Sequence, residues 1–288
     1  MDATVGVLVR QSPIYRVGVA AKDTFLSLLS LVKQDELCWL GSTPSNDSER
    51  SNLFGGLVAA QALRAGHLSV GLERQAHSAH AYFVAPGRFD EPTTSRVTIV
   101  RTGRSHAVRH IEVCQSDGPI LSMLASYQVP QDGPEYQVDS PDRPAPPAEV
   151  EGMPTGSITG TDEPGPFEMI DAEPGPDQPG ALDWSPVRFW ARTKQPLPED
   201  PGLHACALLA MGDMRTGSAP RAMFAPTMGH RMTSLDYSIW FRGAVVADHW
   251  MLFDVRPGGN GGSRGLAQGT VHAQNGHVAS YASELKFL

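Results

Sequence analysis

Residues 103–128 read GRSHAVRHIEVCQSDGPILSMLASYQ, and this stretch decides the fold. Apolar and polar residues alternate on both sides of Asp117-Gly118, and an Asp-Gly pair between two such runs is a strong signal for an antiparallel β-hairpin. The same arrangement returns at residues 261–287, GGSRGLAQGTVHAQNGHVASYASELKF, around Asn275-Gly276. The two stretches superpose without a gap at an offset of 158 residues, which aligns the two turns. We therefore expect two equivalent hairpins.

A helix pattern precedes each hairpin. Residues 54–66 (FGGLVAAQALRAG) and 203–214 (LHACALLAMGDM) are apolar at helical spacing, and strand-like runs lie between each helix and its hairpin. Helix and strands correspond at nearly the same offset as the hairpins. This order predicts a duplicated α+β unit, in which one long helix packs on a curved antiparallel β-sheet. Two such sheets hide their edge strands best by pairing edge to edge into one continuous sheet with a shared cleft.

A proline-rich segment separates the two units. Twelve of the 24 prolines lie between Pro130 and Pro179, among many Asp, Glu and Gly residues. This composition is typical of an extended connection between two halves. We place an N-terminal unit at 1–130, a linker at 131–164 and a C-terminal unit at 165–288, and we expect the linker to be largely irregular and on the surface.

The composition excludes several classes of protein. The chain has 288 residues, of which 41% are hydrophobic and 19% are charged, as is typical of a globular protein with a sizeable core. Its formal net charge of −8 gives no cationic excess to attract nucleic acid or an anionic membrane. No apolar run approaches the roughly 18 residues of a membrane-spanning helix. The three widely spaced cysteines form neither a metal motif nor a disulfide framework, so we expect a cytoplasmic protein.

Six stretches in the same order resemble the acyl-CoA thioesterase II family. They are FGGLVAAQAL (54–63), HSAHAYFVAPG (77–87), residues 101–128, LPEDPGLHACALLAMGDM (197–214), SLDYSIWF (234–241), and SRGLAQGTV with NGHVAS (263–280). The resemblance covers most of the chain outside the N-terminal stretch and the linker. It implies a double hotdog fold of two tandem helix-on-sheet units. It also implies hydrolysis of fatty acyl-CoA to free fatty acid and CoA with no metal or cofactor, and association into homodimers or larger homo-oligomers.

The resemblance implies three catalytic positions. The family activates water with an Asp after the second helix, a Ser or Thr at the start of the next strand, and a Gln in the last strand. The first two positions fall on Asp213 and Ser234, whereas the third falls on Ser283, so the Gln is missing. Asp213 ends an apolar helix, where the helix dipole disfavours a carboxylate, although a solvated turn residue is the alternative interpretation. Thr233 is the alternative hydroxyl if the strand register shifts by one residue.

Three further residues are candidates for substrate binding. Gly55 and Gly56 open the first helix, where free N–H groups bind an anion or a carbonyl oxygen. Close packing against a neighbouring element accounts for these glycines equally well. Arg264 follows the glycine-rich residues 258–262, which we interpret as a flexible hairpin turn that borders the CoA entrance. The ten histidines lack the spacing of metal ligands, and we expect no metal.

The leading hypothesis is an acyl-CoA thioesterase in which Asp213 acts as general base and Ser234 positions the water. Helix-end N–H groups stabilise the oxyanion in this hypothesis. Because the Ser283 side chain is too short to reach where a Gln amide would, we expect slow hydrolysis. The alternative is a catalytically impaired acyl-CoA-binding or regulatory protein with the same fold. Release of free thiol from acyl-CoA substrates distinguishes the two.

Overall fold

The computed structural model describes residues 24–44, 52–71, 73–134, 136, 147, 155–156, 165–172, 186–221 and 232–287. The helices are α1 (Phe25–Leu28), α2 (Gly55–Leu68), α3 (Pro201–Asp213) and α4 (Ser218–Arg221). The first strands are β1 (Val32–Asp35), β2 (Cys38–Gly41), β3 (Gln75–Phe83), β4 (Thr93–Thr102), β5 (His106–Gln115), β6 (Gly118–Gln128) and β7 (Thr155–Gly156). They are followed by β8 (Phe167–Asp171), β9 (Val187–Thr193), β10 (Met232–Ser234), β11 (Asp236–Phe241), β12 (Met251–Gly261), β13 (Arg264–Ala273) and β14 (Gly276–Phe287).

The two predicted hairpins are present, and they close in the same way. Gln115 pairs with Gly118 across β5 and β6, and Ala273 pairs with Gly276 across β13 and β14, which leaves a two-residue turn in each hairpin. Each glycine directly follows its turn and has a positive φ, 120° for Gly118 and 131° for Gly276. Residues with a Cβ are strained in this region, so glycine is required there. An Asp-Gly or Asn-Gly hairpin signal predicts that the glycine is the second residue of the turn. Here each glycine is instead the first residue after the turn.

The described strands belong to one antiparallel sheet. Along its main path the order is β1-β2-β4-β5-β6-β3-β11-β14-β13-β12-β9-β8-β7, and β10 pairs with the end of β14. The seam between the two halves of the chain is the pair β3 and β11, in which His80 lies opposite Ser238. The two edges pair as predicted, and neither β3 nor β11 is left as an edge strand.

The spacing of equivalent elements corrects one expectation. β5 and β13 begin 158 residues apart (106 and 264), whereas α2 and α3 begin only 146 apart (55 and 201). The offsets differ because the chain between α3 and β11 is longer than the chain between α2 and β3, and it contains α4. The helices also have ordinary lengths of 14 and 13 residues, about four turns, rather than the long span expected.

The packing of α2 against α3 sets the position of the site. α3 begins at the N-cap Asp200, whose side chain accepts a hydrogen bond from the Gly202 N–H at 2.9 Å. Both helices pack on the sheet and against each other. They approach closely at Gly56, where an added Cβ would lie 2.9 Å from the Ala210 carbonyl oxygen. Every residue of α3 from Gly202 to Asp213 is buried, so this helix ends inside the molecule.

Most of the predicted linker, residues 131–164, lies outside the described residues. Its described part includes β7, which pairs with β8 at one end of the sheet. The boundaries at residues 130 and 165 therefore stay predictions. None of the described helices has the length and apolar character needed to span a membrane.

Candidate active site

Asp213 carries a buried carboxylate at the end of α3. The residue is 8% exposed. The Ser234 hydroxyl donates a hydrogen bond to Asp213 Oδ1 at 3.3 Å, and the Gly56 N–H donates to the same carboxylate. Burial raises the pKa of Asp213 to about 6, and the two hydrogen bonds act in the opposite direction because they favour the charged form. A carboxylate with a pKa near neutrality is suited to general base catalysis.

Ser234 is the last residue of β10, the short strand that pairs with the end of β14. It pairs with Leu285 at the end of β10, and the strand is interrupted at Leu235 before β11 begins. The Leu235 N–H donates to the Glu284 carbonyl at 2.8 Å, and its carbonyl accepts from the Phe83 N–H at 3.0 Å. In this register the side chain of Ser234 reaches Asp213, whereas neighbouring Thr233 is exposed. Ser234 is therefore the hydroxyl beside the carboxylate.

Gly55 and Gly56, at the start of α2, contact different parts of the molecule. An added Cβ on Gly55 would lie 3.3 Å from Asp213 Oδ2 and 2.9 Å from the Phe83 ring. Gly56 combines both predicted properties, since it packs closely against α3 and donates its N–H to Asp213. Residues of the first helical turn have no acceptor within their own helix, so their N–H groups are available to a neighbouring group. The N-terminus of α2 thus faces the end of α3.

Asp213, Ser234 and Gly55 line a cavity of about 830 Å³. Both halves of the chain contribute to its wall. The apolar lining includes Leu53, Phe54, Val58, Phe83, Ile120, Met169, Met214, Met232 and Leu285. Such a mixture of apolar walls and a few polar groups is typical of a small-molecule site.

The Ser283 hydroxyl is bonded to the backbone of β11. Its side chain is fully buried, and its hydroxyl donates to the Asp236 carbonyl oxygen at 2.7 Å. The Asp236 side chain in turn accepts from the Glu284 N–H at 2.8 Å. Ser283 does not belong to the described lining of the cavity. These contacts join β11 to β14 and give the Ser283 hydroxyl a backbone partner.

Arg264 also lies outside the described lining of the cavity. It is half-exposed and pairs with Glu284 at 3.1 Å. The glycine-rich stretch 258–262 is more ordered than expected, because β12 continues to Gly261 and pairs with β13. The turn itself falls on Gly262 and Ser263, which have positive φ values of 57° and 59°. No group of three or more potential metal ligands occurs in the part of the chain that the structure describes.

Sequence reasoning missed two features around Asp213. Thr216 is buried, and its hydroxyl donates to the Asp213 carbonyl oxygen at 3.1 Å. The ring of Tyr237 stacks on Tyr281 with centroids 5.7 Å apart, and an added Cβ on Gly212 would overlap the Tyr237 hydroxyl. The inward alternation of Tyr237 with Ile239 in β11 is the signal that predicts its burial. Gly212 is required because the tyrosine lies directly against the helix.

The opposite ends of the two helices form a closed counterpart of this site. His67 lies in the last turn of α2, and an added Cβ on Gly202, in the first turn of α3, would overlap its ring. Tyr127 stacks on His67 with centroids 6.2 Å apart and donates its hydroxyl to the Leu63 carbonyl at 2.9 Å. Burial lowers the pKa of His67. The rings of His67 and Tyr127 therefore fill the space beside Gly202. The residue equivalent to Tyr127 in the second half is Leu285, 158 residues later, and it lines the cavity.

The buried charge of Asp213 predicts an effect on stability. Because the pKa in the folded protein lies above the usual value near 4, the folded state holds this proton more tightly than the unfolded chain. The associated stability is present below about pH 4 and is lost as the pH rises through about 6. We expect Asp213→Asn to raise the free energy of unfolding at pH 8 by on the order of 3 kcal/mol, and to change it little at pH 4.

Urea unfolding of both proteins at the two pH values measures this difference. Ser218→Ala, at a partly exposed position shortly after α3, is the control and should leave stability within about 0.5 kcal/mol at both pH values. An Asp213→Asn protein that is no more stable than wild type at pH 8 contradicts the interpretation of Asp213 as a buried charge.

Comparison with known proteins identifies the family. Residues 43–128 match the family model of the acyl-CoA thioesterase N-terminal domain, and residues 137–285 match that of the C-terminal domain. Acyl-CoA thioesterase 2 of Haemophilus influenzae is 30% identical over 271 residues, covering 89% of this chain and 93% of the relative. Human acyl-coenzyme A thioesterase 8 is 32% identical over 247 residues, covering 79% of this chain and 77% of the relative.

A solved structure of an acyl-CoA thioesterase II from Mycobacterium marinum has a TM-score of 0.73 and 31% identity, and the match covers 92% of this chain and 96% of that chain. The tesB protein of Mycobacterium avium subspecies paratuberculosis, with a TM-score of 0.77 and 24% identity, has the same fold over 92% of this chain and 98% of its own. Two matching domain models, long alignments and a shared fold lead to one conclusion: the chain belongs to the acyl-CoA thioesterase II family.

Proposed function

We propose that this thioesterase hydrolyses fatty acyl-CoA to free fatty acid and CoA by direct attack of a water activated by Asp213. The observation that carries the proposal is a buried carboxylate with a pKa of about 6, hydrogen-bonded to Ser234 at the wall of a cavity that both halves of the chain line. Asp213 accepts a proton from water while the water oxygen bonds to the thioester carbonyl carbon. Ser234 holds the carboxylate and the water in position.

The first turn of α2 supplies the electrostatic part of the mechanism. As the water attacks, the carbonyl electrons move to oxygen, and this oxyanion needs hydrogen-bond donors that are already in place. The Gly56 N–H is engaged by Asp213, so we assign the oxyanion to the Gly55 N–H at the cavity wall. When the tetrahedral intermediate collapses, the C–S bond breaks and CoA leaves as a thiolate. The proton held by Asp213 then passes to the thiolate or to solvent.

The cavity wall supports a fatty acyl group as the acid portion of the substrate. Val58, Ile120, Met169, Met232 and Leu285 present apolar side chains from both halves of the chain. An alkyl chain gains about 0.8 kcal/mol for each methylene that it buries against such a surface. Several buried methylenes thus hold the acyl chain while the thioester carbonyl faces Asp213.

Turnover of Asp213→Asn tests the assignment of the base. Asn keeps the shape and one acceptor oxygen, but it cannot take a proton from water. We expect a loss of about 10²–10⁴-fold in kcat, measured as free thiol released from a panel of acyl-CoA substrates. For the wild type, kcat/KM should rise with pH and reach half its plateau near pH 6, because only ionised Asp213 acts as base.

Two controls accompany this experiment. Thr233→Ala removes the neighbouring hydroxyl in the lining of the same cavity and should stay within about threefold of wild type, whereas Ser234→Ala should lose about tenfold or more. The assignment of Asp213 is wrong if the Asn variant stays within twofold of wild type, or if the wild-type profile is flat between pH 5 and 8.

The alternative function is acyl-CoA binding or regulation with impaired turnover. The contacts of Ser283 favour it, since the hydroxyl is committed to the Asp236 carbonyl and does not belong to the described cavity lining. A protein of this kind binds CoA thioesters but releases no thiol from them. The thiol assay therefore separates the two functions.

Ser283→Ala tests whether this position takes part in the chemistry. We expect the Asp236 carbonyl to lose its partner, which lowers the free energy of unfolding by about 1–3 kcal/mol and leaves kcat within about threefold. Thermal unfolding and thiol release measure the two effects. A stable Ser283→Ala protein that loses tenfold or more in kcat would instead assign the serine to the catalytic site.

The fold proposal is a double hotdog, with units at 1–130 and 165–288 joined by the linker 131–164. Equivalent hairpins at an offset of 158 and a continuous sheet support it. We also propose a cytoplasmic location, which is supported by three free cysteines.

We further propose a homodimer or larger homo-oligomer. Tyr82 is 67% and Leu124 is 46% exposed beside the seam of the sheet, where their neighbours Ala81 and Met123 are buried on the core side. Light scattering should give at least twice the chain mass of 30.9 kDa, and Leu124→Lys should lower the mass toward that of one chain. Lys33→Glu, on the exposed strand β1, is the control and should leave the mass unchanged. A wild-type mass of one chain contradicts the proposal.

A further inference from the structure

Arg215 is the one cationic residue among the described residues that line the cavity. The acidic residue of this lining is Asp213. A CoA thioester carries several phosphate charges at one end and the reacting carbonyl at the other. A cavity that takes such a molecule therefore gains from a cation placed between the carboxylate and solvent.

The position of Arg215 meets this requirement. It follows Asp213 by two residues, just beyond the end of α3. Its side chain is 35% exposed, whereas Asp213 is only 8% exposed, so Arg215 lies at the outer part of the same cavity. The guanidinium carbon lies 5.9 Å from the centre of the Phe189 ring, which supports the head group from one side.

The present partner of Arg215 is readily displaced by a phosphate. Arg215 Nη2 lies 3.1 Å from Asp171 Oδ1, and the Asp171 side chain is 54% exposed. Exposed ion pairs of this kind contribute only about 0–1 kcal/mol. A guanidinium has five N–H donors in a planar fork, and it pairs with a phosphate through two hydrogen bonds at once. The exchange from one exposed carboxylate to a phosphate is therefore favourable.

We propose that Arg215 binds a phosphate of the CoA moiety and thereby holds the substrate at the cavity. The inference rests on the proposed function, because it names the residue that recognises the phosphate end of that substrate. Asp171 competes with the phosphate for the guanidinium. Its removal should strengthen CoA binding, while removal of Arg215 should weaken it.

Paired substrates test the proposal. We expect Arg215→Met to raise KM for an acyl-CoA about tenfold with kcat within twofold, and to leave KM unchanged for the same acyl group on pantetheine, which has no phosphate. The tenfold effect should shrink as NaCl is added. Asp171→Asn should lower KM for the acyl-CoA about twofold and leave that for the acyl-pantetheine unchanged. Dephospho-CoA thioesters show which phosphate is bound, because they respond to Arg215→Met only if the contact is to the pyrophosphate.

Arg192→Met is the matched control. Arg192 also pairs with a carboxylate of β8, Glu168 at 2.6 Å, and also lies over an aromatic ring, Trp250 at 4.6 Å, but it is outside the described cavity lining. We expect it to leave KM for both substrates unchanged. The proposal is overturned if Arg215→Met changes KM equally for both substrates or for neither. It is also overturned if Arg264→Ala alone produces the effect that is specific to CoA.

Binding of free CoA separates a failure of this inference from a failure of the proposed function. If the wild type releases no thiol from any acyl-CoA, the proposed function fails, and calorimetric titration with CoA tests Arg215 directly. A tenfold weaker Kd for Arg215→Met then supports the phosphate site, and an equal Kd overturns it.

Discussion

The antiparallel pairing of β3 with β11 is the contact on which the rest of the structure depends. It places His80 opposite Ser238 at the centre of the seam, and the His80 Nδ1 and Ser238 Oγ atoms are 3.1 Å apart. Without this pairing each half of the sheet would expose a row of unpaired backbone groups. The same seam continues through the hydrogen bond from the Phe83 N–H to the Leu235 carbonyl, which sets β10 beside the first turn of α2. The cavity therefore exists only when the two halves are joined.

The site carries a charge that opposes stability. Asp213 ends a helix whose residues are buried from Gly202 onward, so solvent compensates little for the helix dipole or for the carboxylate. The Ser234 hydroxyl and the Gly56 N–H supply the two hydrogen bonds that make the charge tolerable. Because they favour the ionised form, they keep the pKa from rising further. A base of this kind is half ionised near pH 6 and fully available above it.

The two ends of the helix pair have taken different forms. At one end Asp213 and Gly55 line the cavity, and at the other end His67 occupies the space next to Gly202. Tyr127 completes the filling of the second position, since its ring stacks on His67 and its hydroxyl bonds to the Leu63 carbonyl. Leu285 occupies the position equivalent to Tyr127 and is smaller than a tyrosine. The cavity beside Asp213 lies at this end of the helix pair. Side-chain volume thus breaks the approximate symmetry of the backbone.

The sequence by itself determined the elements that depend on local physics. Alternation and the turn glycines predicted both hairpins, because a positive φ at Gly118 and Gly276 is a property of single residues. Helical spacing predicted α2 and α3 to within two residues at each end, and the resemblance to a known family brought Asp213 and Ser234 to attention. The extra residues after α3 escaped detection, because an insertion between aligned elements leaves no local periodic signal.

Only the tertiary structure decided how these residues act together. The Gly56 N–H reaches Asp213 because two helices meet at a contact without side chains, and Ser283 bonds to Asp236 because β14 has one particular register. The raised pKa of Asp213 arises from burial by segments far away in the chain. These two hydrogen bonds and the raised pKa depend on distances between residues that are remote in sequence. Such distances cannot be predicted from composition or periodicity.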